Sequence, residues 1–144
     1  MHDHNFFEIA IVESGHALHL SGEDHTALGP GNVLVVPPGP AHSYTEVKGL
    51  KVINIYYLSE WLLDDLNRFW QEPGLMTLFF KAALFPTSRE SQIFNFKLDD
   101  VTHQCVKHEA AAIADEINLA TPSRLLLRSS LMKMLVYLNL LRMN

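Results

Sequence analysis

The sequence predicts a mainly β domain carrying a helical appendage, and three observations lead to that reading. Glycine and proline punctuate the N-terminal part at Gly15, Gly22, Gly29-Pro30-Gly31, Pro37-Pro38-Gly39-Pro40 and Gly49. The short runs between them are rich in Val, Ile, Leu and Tyr, which suits strands joined by tight turns into a sandwich or barrel. Beyond Ser59 the apolar residues recur at helical rather than strand spacing.

The first strands are expected at residues 8–12, 17–20, 33–36 and 51–57. Ser59 then reads as the N-cap of a helix that places Trp61, Leu62, Leu66, Phe69 and Trp70 at helical spacing and stops near Pro73-Gly74. Residues 93–98 alternate Phe94, Phe96 and Leu98 with Asn95 and Lys97, the pattern of one more half-buried strand. Asp99 or Asp100 caps a helix reaching about Asn118, with Val101, Cys105, Ile113 and Ile117 on or near one face. Thr121 as cap and Pro122 at the first helical position start a last helix to about Arg142. One domain is expected over residues 1–144: a barrel core at 1–58, a helix and added strand at 59–98, and a helical dimerisation segment at 99–144.

Composition bounds the function. At 144 residues, 48% hydrophobic and 19% charged, the chain has enough apolar material for one core. A net charge of −5, from 11 Lys and Arg against 16 Asp and Glu, disfavours a phosphate backbone, so this chain alone is not expected to hold DNA. Arg128 and Lys133 interrupt the Leu-rich tail before a membrane-spanning length is reached. A single cysteine, Cys105, and acidic Asp3 and Glu8 near the N-terminus lead to a cytoplasmic expectation.

On an N-terminal strand, His2, His4, Phe6 and Glu8 fall on one face by the two-residue period. His42 follows the Pro-rich turn, and three imidazoles with one carboxylate form a donor set suited to a divalent first-row ion such as Ni, Zn, Mn or Fe. The same residues also suit a polar, metal-free pocket floor. Tyr44 shares strand parity with His42. His16, His19 and His25 show no ligand spacing and are assigned to a solvated strand face.

These stretches resemble the two motifs of the cupin superfamily, with His2, His4, Glu8 and Gly15 matching the first and Gly31, Pro37, Gly39 and His42 the second; Glu46 stands where Asn is usual. The wording around them is similar to the N-terminal sensor domain of AraC-type transcription regulators. That resemblance implies a cupin-type double-stranded β-helix, a jelly-roll barrel, followed by C-terminal helices. It implies a small-molecule effector, with carbohydrate as the class, held near His4, Phe6, Glu8, His42 and Tyr44. It also implies a homodimer, and DNA contact only through a separate helix-turn-helix domain, which these residues do not contain. The rival is a small metal-dependent cupin enzyme, a dioxygenase or isomerase using His2, His4, Glu8 and His42. A Leu-rich terminal helix pair has no evident use there, so a non-enzyme is expected. Leu127, Leu131, Met134, Leu138 and Leu141 recur at alternating steps of four and three and are expected to form the dimer seam.

Overall fold

The computed structural model describes residues 6–58, 61 and 93–143, the last four by backbone alone. Five strands, β1 (Phe7–Ser21), β2 (Asp24–Leu28), β3 (Asn32–Val36), β4 (Ser43–Tyr57) and β5 (Phe94–Lys97), form one curled antiparallel sheet. Two helices, α1 (Asp100–Ile117) and α2 (Arg124–Met143), follow. The mainly β architecture with C-terminal helices is as expected. The helix expected from Ser59 lies, Trp61 apart, outside the described residues.

Strand β1 organises the sheet. One edge pairs with β4 along nearly its whole length, while the other takes β3 against its N-terminal half and β2 against its C-terminal half. The sequence reading divided β1 into two strands at Gly15. Instead Gly15 lies within the strand, at φ +80, where the β1–β4 register shifts between Val12 and Leu18. A Cβ on Gly15 would collide with the Gly49 carbonyl, so glycine serves here for close approach as well as for backbone freedom. β2 was not expected, because Leu28 is its only buried residue and the run shows no apolar alternation.

The slip changes which residues share a face. In the N-terminal half Glu8 stands opposite Tyr56 and Ala10 opposite Asn54, even against even. Beyond the bulge His19 stands opposite Tyr44, odd against even. A one-residue shift transfers alternate side chains to the other side of a sheet, so the face that carries Glu8, Ala10 and Val12 continues as Ala17 and His19.

Both faces are apolar in the N-terminal half, for different partners. Phe7, Ile9, Ile11, Val33, Val35 and Tyr57 pack beneath the helices, against Val106 and Ala110 of α1 and Leu131, Met134, Leu135 and Leu138 of α2. On the other face Ala10, Val12, Leu28, Leu34 and Val36 gather with Tyr44, Leu50 and Val52 inside the curl. Gly31 links β1 to the residue after β5: its N–H donates to the Val12 carbonyl at 3.0 Å and its carbonyl accepts from Leu98 N–H at 2.9 Å.

The helix starts are capped by side chains. Asp99 Oδ1 accepts from Thr102 N–H at 2.7 Å, and this bond holds the Asp99 carboxyl below its usual range. For α2 the cap is Ser123 rather than Thr121: its Oγ accepts from Leu126 N–H, while Glu116 Oε2 accepts the Ser123 N–H at 2.9 Å. Pro122 thus precedes the cap. The buried face of α1 is also rotated from expectation. Val106, Ala110 and the partly buried Ile113 meet the core, whereas Val101 and Ile117 are exposed.

The seam expected to join two copies is used within one copy. Leu131, Met134 and Leu138 are buried between α2, α1 and the sheet, Leu127 is half-buried, and the Leu141 side chain lies outside the described residues. Met134 and Leu138, at 0% exposure, and Leu131, at 7%, pack into the core of this chain, so this part of the stripe is used inside the fold.

Gly15→Ala is expected to destabilise the domain by about 3 kcal/mol, since it combines a collision with a left-handed backbone. Leu138→Ala should cost about 3 kcal/mol by leaving a cavity. Urea denaturation read by circular dichroism measures both, and a loss under about 1 kcal/mol for Gly15→Ala would refute the close-approach role.

Candidate functional site

Four polar side chains converge on the concave face of the sheet. Glu8 comes from the N-terminal half of β1, His19 from its C-terminal half, and Tyr44 from β4; His42 immediately precedes β4. Glu8, His19 and His42 are buried, at 3%, 3% and 0% exposure, and Tyr44 is half-buried. Burying that many polar groups costs stability unless they contact one another, and they do. His42 Nδ1 lies 3.2 Å from His19 Nε2, and His42 Nε2 lies 3.4 Å from Glu8 Oε2. The Tyr44 ring packs on both imidazoles, at centroid distances of 5.6 Å to His19 and 6.2 Å to His42.

The electrostatics follow from this burial. Desolvation, with the nearby His42 opposing a second charge, lowers the His19 pKa from 6.5 to about 4, against a smaller upward pull from Glu8. His19 is therefore neutral at pH 7, with one ring nitrogen a donor and the other an acceptor. Burial, reinforced by the Glu8 and Tyr56 charges, pushes the Tyr44 phenol up to about 12. The Tyr44 hydroxyl thus keeps its proton, and it has no hydrogen-bond partner among the described residues.

Beside this cluster opens a cavity of about 470 Å³, within the usual range for small-molecule sites. His19, Ser21, Asp24, His25 and Thr26 of the β1–β2 ribbon line it, together with residues that include Pro40 and Asn95. His19 belongs to both the cluster and the cavity wall. Ser21 Oγ donates to the Ala41 carbonyl at 3.4 Å, holding the Pro40 turn against the ribbon.

The expected residues divide into three groups. Glu8, His42 and Tyr44 are brought together. Phe6 sits at the edge of the same face, T-shaped against Tyr56 at 5.0 Å; Tyr56 in turn faces Glu8, and burial together with that carboxylate raises the Tyr56 pKa. His2 and His4 lie outside the described residues. His19 is the correction: assigned to a solvated strand face, it is buried against His42 between the cluster and the cavity, because the Gly15 bulge reverses its side. His16 and His25, by contrast, are exposed.

Among the described residues, no group of three or more His, Cys, Asp or Glu side chains is arranged to hold a metal ion. Glu8 Oε2 and His42 Nε2 stand at a spacing that two bonds of about 2.1 Å would span. Glu8 and His42 are the members of the expected His/Glu donor set that the described residues include, and His2 and His4 lie outside them.

No helix of the described residues is long and apolar enough to cross a membrane. Residues 1–135 match the family model described as the AraC-like ligand binding domain. Among curated relatives, the HTH-type transcriptional activator RhaR of Mannheimia succiniciproducens is 39% identical over 42% of this chain and 22% of its own length. The HTH-type transcriptional activator RhaR of Pectobacterium carotovorum subsp. carotovorum is 29% identical over 78% of this chain and 40% of its own length. Among solved structures, the AraC-like transcriptional activator CuxR aligns with a TM-score of 0.47 at 12% identity, covering 95% of this chain and 42% of that one. The chain therefore spans two-fifths or less of the length of these two curated relatives.

The neutral state of His19 makes stability depend on pH. Between pH 6.5 and 4 the unfolded chain binds a proton there that the folded chain resists, so stability is full above pH 6.5 and falls as the pH drops toward 4. The imidazole is buried but borders an open cavity, so screening reduces the expected loss to about 2 kcal/mol. Urea midpoints measured across this window should show the decline, and His19→Gln should flatten it. An unchanged pH slope in that variant would place the titrating group elsewhere.

The family model covers residues 1–135 of the 144, and this chain belongs to the AraC-like ligand-binding domain family.

Proposed function

We propose that this chain is the effector-binding and dimerisation domain of an AraC-family transcription regulator, responding to a small molecule of the carbohydrate class. The observation that carries the reading is the position of the Glu8–His42–His19 cluster. It lies beside a cavity whose wall includes His19, in a sheet whose opposite face supports α1 and α2. An effector touching the cluster acts on β1, and β1 supplies Phe7, Ile9 and Ile11 to the core under α2. A ligand that binds two arrangements of this contact with different affinity shifts their populations. DNA contact belongs to a helix-turn-helix segment of a longer protein, as the names of the relatives indicate for them. The site needs no catalytic step to serve this role.

Dimerisation, with the Leu131 seam inside the fold, falls to the exposed apolar residues at the α1–α2 corner. Ile117, Leu119, Leu125 and Leu126 are each more than half exposed, and four such residues on one corner suit a second copy of the same corner.

Fused to the DNA-binding domain of a relative, the chain should make a reporter respond to a carbohydrate. His42→Ala and Tyr44→Phe should reduce that response at least tenfold while the domain stays folded. A response that survives both substitutions would place the effector elsewhere. Leu125→Glu with Leu126→Glu should lower the sedimentation coefficient of a dimer to that of a folded monomer at micromolar concentration. A wild-type chain that sediments as a monomer at high concentration would remove the dimer.

A further inference from the structure

The apolar seam between α2 and its neighbours does not fix its own register. Leu127, Leu131 and Leu135 follow one another one turn apart along α2, as do Met134 and Leu138. A slide of α2 by one turn would set Leu127 in the place of Leu131, Leu131 in that of Leu135 and Met134 in that of Leu138. Apolar burial has no direction, so packing alone separates the two seatings weakly. The connection 118–123 is long enough for such a slide, which would break the hydrogen bond between Glu116 and Ser123.

An ion pair interrupts this apolar layer. Glu109 of α1 is buried, at 4% exposure, and its Oε1 lies 2.8 Å from Nζ of Lys133 on α2, a side chain that is 60% exposed. The two ends differ in what they need. Lys133 can turn to water, whereas a carboxylate at this depth has lost its hydration and is costly without a cation. One turn to either side of Lys133 stand Ser129, Ser130, Val136 and Tyr137. One turn to either side of Glu109 stand Cys105, Val106, Ala112 and Ile113. No cation on α2 and no carboxylate on α1 takes over after a slide, and the displaced seating leaves Glu109 buried beside an uncharged side chain. A charge pair of this kind distinguishes two seatings that apolar contacts leave close in energy, as a single buried polar residue fixes the register of a coiled coil.

The seating also shapes the surface. Ile117 and Leu119 lie at the end of α1, and Leu125 and Leu126 at the start of α2. A one-turn slide of about 5.4 Å moves one half of this exposed corner past the other. We infer that Glu109 and Lys133 form a register lock that holds α2 in one seating on α1, and that this lock, rather than the leucine stripe, fixes the shape of the apolar corner offered to a second copy. This deepens the reading of the chain as a dimerising domain, and its consequence for assembly rests on that reading.

The 144-residue chain carries the test. In a Cys105→Ser background, spin labels attached at Gln104→Cys on α1 and Ser129→Cys on α2, both exposed positions, should give one interhelical distance by double electron–electron resonance. Glu109→Met with Lys133→Met, which replaces the pair by apolar side chains, should keep the urea midpoint or raise it, yet add a second population displaced along the helix by about 5 Å. Lys133→Arg keeps the charge and should keep the single distance. A methionine pair with one unchanged distance overturns the inference and leaves the register to the connection 118–123. A methionine pair that fails to fold overturns it as well, since the pair would then hold the fold itself and not its register, and two populations in Lys133→Arg would remove the role of the charge. Sedimentation of the methionine pair should show dimerisation weakened about tenfold or more; two distances with unchanged dimerisation overturn the link to the corner. A wild-type monomer removes the dimer and leaves the register result standing, whereas a wild-type dimer whose methionine pair keeps one distance does the reverse.

Discussion

The bulge at Gly15 is the constraint on which both the core and the site depend. Strand β1 pairs with β4 on one edge and with β3 and then β2 on the other, so any change in its register propagates to three partners. In its N-terminal half the odd residues Phe7, Ile9 and Ile11 meet the helices and the even residue Glu8 faces the cavity side. Without the slip, His19 would fall on the side of Ile9 and Ile11, and a polar imidazole would turn away from the group that holds it. With the slip, His19 reaches His42 at 3.2 Å. The glycine that allows this lies against Gly49 so closely that no side chain fits between the strands.

This arrangement sets polar burial against apolar packing within one strand. Glu8, His19 and His42 lose nearly all contact with solvent, which is unfavourable for each of them taken singly. Their mutual contacts offset part of that cost, and the neutral state of His19 avoids burying a second charge beside His42. The remaining cost falls on the two apolar clusters on either face of the sheet. The Tyr44 hydroxyl has no hydrogen-bond partner among the described residues, and a ligand group that satisfied it would stabilise the folded domain. Strand β1 then couples the two faces mechanically, for Glu8 and its neighbours Phe7 and Ile9 cannot move independently.

The sequence made the fold class legible through its punctuation and periodicity, and the family resemblance placed Glu8, His42 and Tyr44 in one site. It misplaced features wherever a local signal has two physical meanings. Gly15 read as a turn because glycine marks turns and bulges alike, and only the partner strand distinguishes them. His19 followed from that error, since parity counted without a bulge puts it on the wrong side. A sign was nevertheless present: Ala17 and His19 both belong to an odd-numbered set, opposite in parity to Glu8, within what β4 shows to be one continuous strand. The Ser123 cap was overlooked because Thr121-Pro122 supplies a stronger local pattern, and the choice depends on Glu116, seven residues earlier in the chain.

The leucine stripe of α2 shows a limit of the same kind. Steps of four and three place residues along one side of a helix but do not identify what that side meets. A seam between two subunits and a seam between a helix and its own sheet require the same spacing, and the sheet supplies the partner here: Leu131, Met134 and Leu138 are covered by β1, β3 and α1. What distinguishes the two cases is the remainder. A helix that satisfies its own fold leaves its other faces polar, yet α2 begins with Leu125 and Leu126 exposed, next to Ile117 and Leu119 at the end of α1. Among the described side chains of α2 and the end of α1, the apolar residues in excess of the core therefore gather at the corner between the helices.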